Sequence, residues 1–307
     1  MILLTALGRK AALALGRTQG VARVLAVLSE SVYLTAGDEI VWLGHAGTPM
    51  HPRAMLAGAP LPAAGGAIEI DRGAARPWTP PAGPCGAGTA RALTAGCRDL
   101  VAALAEIGRP DGFGALLAGI APAFPLDRAS SRARELASAC GADDPAAAAA
   151  VATELLGLGP GLTPSGDDYV GGAFFARALL ARAGACDGLA WRAAAALVLD
   201  GARGRTHPIS IALLSDMLDG QAHAPLHDLA RALAAGAPRD VALGAARRVV
   251  GIGHSSGWDM LAGFVAGVAG TSSGPIEVET PPRGGTLRNR EGFSGPTWLP
   301  AAPPTIR

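Results

Sequence analysis

Two short stretches of this chain carry side chains whose types and spacing could do chemistry. The first runs from Gly157 to Tyr169 and reads G-L-G-P-G-L-T-P-S-G-D-D-Y. Its prolines and glycines stop any regular element. Thr163 or Ser165 can then cap a following helix, with Asp167 and Asp168 in that helix's positive first turn. The second runs from Gly251 to Gly263 and reads G-I-G-H-S-S-G-W-D-M-L-A-G, so that His254, Ser255 and Ser256 precede Gly257 and Asp259. A loop feeding a helix N-terminus offers backbone N–H groups and hydroxyls to an anionic oxygen, and carboxyl and imidazole groups beside it can orient a substrate or move a proton.

The two stretches share a pattern. Ser165, Gly166, Asp168 and Gly172 are matched by Ser256, Gly257, Asp259 and Gly263, each set opening an apolar, small-residue segment. A glycine inside a helix costs about 1 kcal/mol relative to alanine, so Gly172 and Gly263 suggest close backbone packing. If the two helices pack with their N-termini together, Ser165, Asp168, Ser256 and Asp259 meet in one pocket. A plain capped helix with acids that satisfy its dipole stays open as an alternative, as does coincidence in a sequence rich in Gly and Ala. Two carboxylates also repel an anion unless a cation such as Mg²⁺ lies between them or they face elsewhere, adjacent helical residues pointing about 100° apart. Asp167, Asp168 and Asp259 are the candidate ligands if Mg²⁺ is the answer.

A third stretch, from Gly201 to Ser210, reads G-A-R-G-R-T-H-P-I-S. Arg203 and Arg205 have the fork geometry that matches carboxylate or phosphate oxygens, with Thr206 and Ser210 beside them. Complementing a helix C-terminus is the competing role for these arginines. His223 and His227 stand four apart, but Pro225 between them breaks the helix that a shared metal would need, and no third ligand is evident.

The elements that must position these residues fall into two textures. Val21 to Leu28, a hairpin of Ser31 to Thr35 with Glu39 to Leu43, and Ala67 to Ile70 read as strands. A Pro/Gly connector from Trp78 to Gly88 follows. Beyond it, helical periodicity predicts helices over Thr89–Ile107, Ser130–Ala139, Pro145–Leu156, Gly166–Ala183, Leu189–Ala202, Pro208–Leu218, Pro225–Ala234, Arg239–Val250 and Gly257–Ala269. The expected fold class is α+β, with a small β-rich N-terminal domain over residues 1–80 and a mainly α-helical domain over 89–270. Residues 271–307, crowded with Pro, Gly, Thr and Arg, read as a flexible tail.

Composition excludes several classes. A net charge of +1 with 17% charged residues gives no basic stripe for nucleic acid. Lys10 is the only lysine and lies near neither Gly-rich stretch, which argues against Schiff-base chemistry and a phosphate loop of the Walker type. Cys85, Cys97, Cys140 and Cys186 form no C-x-x-C pair, and the start of the chain lacks the features of a secretory signal, so a reducing cytoplasm is expected. No apolar run reaches the ~20 residues of a membrane span.

The string G-L-G-P-G-L-T-P-S-G-D-D, followed by R-T-H-P-I-S and G-H-S-S-G-W-D-M-L-A-G, resembles the signature of a bacterial family that includes the AllH-type subunit of oxamate carbamoyltransferase. The resemblance covers roughly Pro145 to Gly270. It implies work beside other subunits, one similar to acyl-CoA synthetases, in converting oxalurate and phosphate to oxamate and carbamoyl phosphate during use of allantoin and other purine nitrogen. On that expectation Asp168, Asp259 and His254 are the candidate catalytic residues. Gly159, Gly161, Thr163, Ser165, Gly166, Asp167, Arg203, Arg205, Thr206, Ser210, Ser255, Ser256 and Gly257 are the candidate contacts to a carbamoyl or phosphate ligand. A stand-alone Mg²⁺-dependent amide or glycoside hydrolase and a non-catalytic assembly subunit are the alternatives.

Overall fold

The computed structural model describes residues 1–58, 60–62, 65–86 and 88–269; the tail expected over 271–307 lies outside the described residues. Among the described residues, seven strands come first: β1 (Ile2–Gly8), β2 (Val21–Val27), β3 (Ser31–Ala36), β4 (Glu39–His45), β5 (Ala54–Ala57), β6 (Ala67–Asp71) and β7 (Pro77–Trp78), with helix α1 (Arg9–Arg17) after β1. The sheet order is β5-β4-β3-β2-β6-β1-β7, and β5 also pairs with β1, which closes six strands into a barrel-like ring. The expected hairpin is present, with Ser31 opposite Gly44 and Ala36 opposite Glu39. Alternation along β3 and β4 sends Val32, Leu34, Val41 and Leu43 inward, where they meet Leu7, Met55 and Leu15 of α1. Closure leaves few free edges to template unwanted pairing.

The remaining elements are helical: α2 (Thr89–Ala102), α3 (Leu104–Ile107), α4 (Ser130–Gly141), α5 (Pro145–Leu155), α6 (Ser165–Arg182), α7 (Gly188–Ala202), α8 (Pro208–Leu218), α9 (Ala224–Ala234), α10 (Arg239–Val250) and α11 (Ser256–Ala269). The expected α+β class is therefore the observed one. The single helix expected over Thr89–Ile107 breaks at Ala103, whose φ of −103° and ψ of 16° leave the helical region. A 3₁₀ turn, Gly112–Ala118, precedes α4.

Helices α6 and α11 form the central pair, and their small residues explain why. A Cβ added at Gly263 would lie 1.9 Å from the Tyr169 carbonyl oxygen, and one at Gly172 would lie 2.3 Å from that of Met260. The backbones thus touch where the glycines stand. On one side the pair is covered by α4, α5, α7 and α8 through Leu136, Ala152, Val198 and Leu214. On the other it is covered by α2, α9 and α10 through Leu93, Leu229, Val249 and Phe264. The barrel joins the helices through buried ion pairs: Lys10 Nζ at 2.5 Å and Arg53 Nε at 2.9 Å reach the two oxygens of Asp216. The Ala224 N–H donates to the Met50 carbonyl at 2.7 Å beside the rings of His51 and His223, which meet at a tilt of 44°. No helix among the described residues is long and apolar enough to cross a membrane.

Candidate functional site

The crossing of α6 over α11 brings the two S-G-x-D copies together in a swapped arrangement. Ser165 of the first copy lies 3.5 Å from Ser255 and hydrogen-bonds Asp259 of the second. Ser256 of the second copy lies 3.3 Å from Thr163 and hydrogen-bonds Asp168 of the first. Each carboxyl is thus served by a hydroxyl from the opposite helix. The swap continues along the crossing, since Gly172 meets Met260 and Phe264 while Gly263 meets Tyr169 and Ala173. An approximate two-fold relation between the motifs accounts for both observations.

The loops ahead of each helix are equally constrained. Gly157, Gly159 and Gly161 take φ values of +78°, +112° and +95°, a region that side-chain-bearing residues avoid. A Cβ at Gly157 would sit 2.2 Å from the Arg205 carbonyl oxygen, which places the third stretch directly against the first. The Gly166 N–H donates to the Leu158 carbonyl, and the Gly257 N–H to that of Ile252, each at 2.9 Å. These donors serve their own loops, so the groups presented at the convergence are the hydroxyls of Thr163, Ser165, Ser255 and Ser256.

Asp167 and Asp168, adjacent in sequence, do different things. Asp167 turns into the protein, where Oδ1 accepts from the Gly157 N–H at 2.8 Å and Oδ2 accepts from the Ser210 hydroxyl at 2.5 Å and from the Thr206 hydroxyl. It ties the Gly-rich loop to the start of α8. Asp168 faces the hydroxyl cluster and is 8% exposed. Burial pushes its carboxyl well above the usual range; Ser256 opposes the rise, and the charges of Asp259 and Asp167 add to it. Asp259 is fully enclosed, at 0% exposure, with Oδ1 accepting from the Phe113 N–H at 2.6 Å. Burial pushes its carboxyl up to about 7, against the pull of hydrogen bonds from Phe113, Ser165 and Ser255. Oδ2 of each of the two carboxyls is buried without a hydrogen-bond partner.

The other candidates lie apart from this cluster. The His254 side chain is 100% exposed, with Nε2 3.9 Å from Asp111 Oδ2. Arg203, 77% exposed, pairs with Asp200 at 3.4 Å, and Arg205 is exposed. The third stretch therefore contributes Thr206 and Ser210 to Asp167, while its arginines face solvent. Asp167, turned away, does not complete a three-carboxylate cage, and among the described residues no group of three or more His, Cys, Asp and Glu side chains is arranged to hold a metal ion.

Two contributors escape the sequence reading. Gly112, at φ +53°, lies so near Asp259 that a Cβ there would be 2.2 Å from Oδ1; it starts the turn whose Phe113 N–H caps that carboxyl. The available signal is the D-G-F-G string at Asp111 to Gly114, whose partner is far away in the chain. Tyr33, on β3, lies near enough to Asp168 for that charge to add to the upward shift that burial imposes on its phenol. Nothing in the strand pattern points to it.

Residues 155–268 match the family model described as oxamate carbamoyltransferase subunit AllH. That similarity covers 114 of the 307 residues. The matched segment begins at the end of α5 and spans all three motifs and both helices of the central pair, while the barrel lies outside it. No curated protein and no solved structure matches the chain.

Proposed function

We propose that this chain is a subunit of an oxamate carbamoyltransferase complex, and that the convergence of α6 and α11 is its ligand site. The observation that carries the reading is the swapped pairing of hydroxyls and carboxyls within the matched segment. The reaction would interconvert oxalurate and phosphate with oxamate and carbamoyl phosphate, in the cytoplasm of a bacterium drawing nitrogen from purines by way of allantoin. Partners would include a subunit similar to acyl-CoA synthetases.

Each group has a part that its surroundings support. Thr163 donates to an oxygen of a planar carbamoyl or carboxylate group at the positive ends of two helices, while Ser165, Ser255 and Ser256, whose single O–H groups are turned to Asp259 and Asp168, accept from the ligand's amide N–H groups. Asp168, whose buried Oδ2 lacks a partner, accepts from an amide N–H of the ligand. Its raised pKa softens the repulsion that two carboxylates would otherwise exert on an anion. Asp259 acts from beneath, holding Ser165, Ser255 and the Phe113 backbone in place. The Thr163 hydroxyl and the positive ends of the two helices stabilise the charge that develops on the carbamoyl carbon's oxygen during transfer. Asp167 acts on the loop, not on the ligand.

The test is a thermal-shift panel on the purified chain with oxamate, oxalurate, carbamoyl phosphate and inorganic phosphate. A ligand at 100 times its dissociation constant adds about 2.7 kcal/mol of stability. A shift with oxamate or oxalurate, lost in Ser165→Ala and Ser256→Ala, is expected. Stabilisation by none of the four would remove the ligand site from this subunit.

A further inference from the structure

Away from the motifs, α6, α7 and α8 enclose a cavity of about 410 Å³, within the size range of small-molecule sites. Its back wall is preformed. Arg177, buried in the middle of the fold, lies over the Trp191 ring with its guanidinium carbon 4.3 Å from the ring centroid. Asp143 accepts from both Arg177 and the Trp191 indole N–H, the latter at 2.8 Å, and the Cys140 carbonyl accepts from Arg177 at 3.1 Å. Phe174 meets Trp191 edge-on at 5.6 Å, and Leu218 and Ala195 extend the apolar floor.

Charge in the lining is one-sided. Three guanidiniums, of Arg177, Arg182 and Arg192, face one carboxylate, Asp219, which Lys10 approaches at 3.8 Å. Arg177 is matched by Asp143. Arg182 donates to the Gly220 and Asp219 carbonyls at 3.2 and 2.9 Å. Neither Arg182 nor Arg192 has a carboxylate partner among the described residues, so two positive charges stand at the mouth of a cavity backed by buried aromatic rings. Guanidinium forks of this kind favour a planar or tetrahedral oxyanion.

We propose that this cavity is a second ligand site, distinct from the convergence of α6 and α11, for a small organic anion: an apolar body along Ala178, Ala181, Ala196 and Leu199, backed by the buried Trp191 and Phe174, with a carboxylate or phosphate held by Arg182 and Arg192. Titration calorimetry of the full chain with phenylacetate, phenyl phosphate and the neutral phenylacetamide tests it. Binding of an anion with no binding of the amide is expected. Which anion binds more tightly tells carboxylate from phosphate. Arg192→Ala, at an exposed position, should weaken that binding at least tenfold, and Ala196→Phe, on the cavity lining, should abolish it. Asp168→Asn should leave it unchanged. Failure of both anions to bind, equal binding of the amide, or wild-type affinity in both cavity variants would overturn the proposal.

Discussion

The two S-G-x-D copies share a backbone solution but treat their carboxyls differently. Gly166 and Gly257 each stand where a Cβ would strike a carbonyl, at 1.9 Å from Leu155 and 2.1 Å from Val249, so both helices start against the end of an earlier one. The difference lies in the residue between glycine and aspartate. In the first copy it is Asp167, which anchors the Gly157 loop and leaves Asp168 at the edge of the cluster. In the second it is Trp258, packed against Gly114, which closes the site from behind and leaves Asp259 enclosed. One scaffold used twice gives two buried acids, of which only Asp259 is capped by a backbone N–H, that of Phe113, which suits a contact residue supported by a positioning residue.

The comparison breaks most severely at its shared crossing. Alanine in a helix is ordinarily favoured over glycine by about 1 kcal/mol. Gly263→Ala should reverse that sign and cost about 3 kcal/mol, because the new Cβ lies against the Tyr169 carbonyl and backbone must move. Urea denaturation measures it; a neutral or stabilising result would mean the helices do not touch there. Asp167→Ala should cost about 2 kcal/mol, since three donors lose a buried acceptor, and it should loosen the first loop without loosening the second. Hydrogen exchange of the Gly157 amide against that of Gly257 would show whether the effect stays local.

The sealed acid gives a pH signature. Asp259 titrates at about 7 when folded and near its ordinary value of 3.8 when unfolded. Between those values the folded chain keeps a proton that the unfolded chain has lost. Stability should therefore fall as pH rises from about 4 to 7, at about 1.4 kcal/mol per pH unit, and then level off. Asp168, raised in the same direction, steepens the fall. Asp259→Asn should remove its own part of the slope and leave that of Asp168, and an unchanged slope in that variant would assign the dependence to another group. The smallest effect belongs to His254→Ala, which should change stability by less than about 0.5 kcal/mol because the ring meets only solvent and a distant carboxyl.

Much of this arrangement was legible in the residues. The hairpin of β3 and β4 followed from alternation, the helices from their periodicity, and the meeting of the two motifs from a repeated pattern with glycines at matching places. What was hidden depends on contacts distant in sequence. Strand β1 is recognisable only through its pairing with β5 and β6, and a Cβ at Gly8, where β1 ends, would meet the His51 and Pro52 carbonyls at 2.4 Å. The split of Asp167 from Asp168 depends on Thr206 and Ser210, some 40 residues later, and the sealing of Asp259 on Phe113, 146 residues earlier. Local patterns specify which helix begins where; they do not say which of two neighbouring carboxyls meets a distant hydroxyl.

The central claim is that both motifs build a single site on this chain. Calorimetric titration of oxamate into Ser165→Ala, Ser256→Ala and the double variant tests it directly. The swapped geometry predicts that each single change weakens binding and that the double change costs clearly more or less than the sum, because the two hydroxyls serve one ligand and one pair of acids. Loss of binding in one single variant, with full affinity in the other, would contradict a shared site.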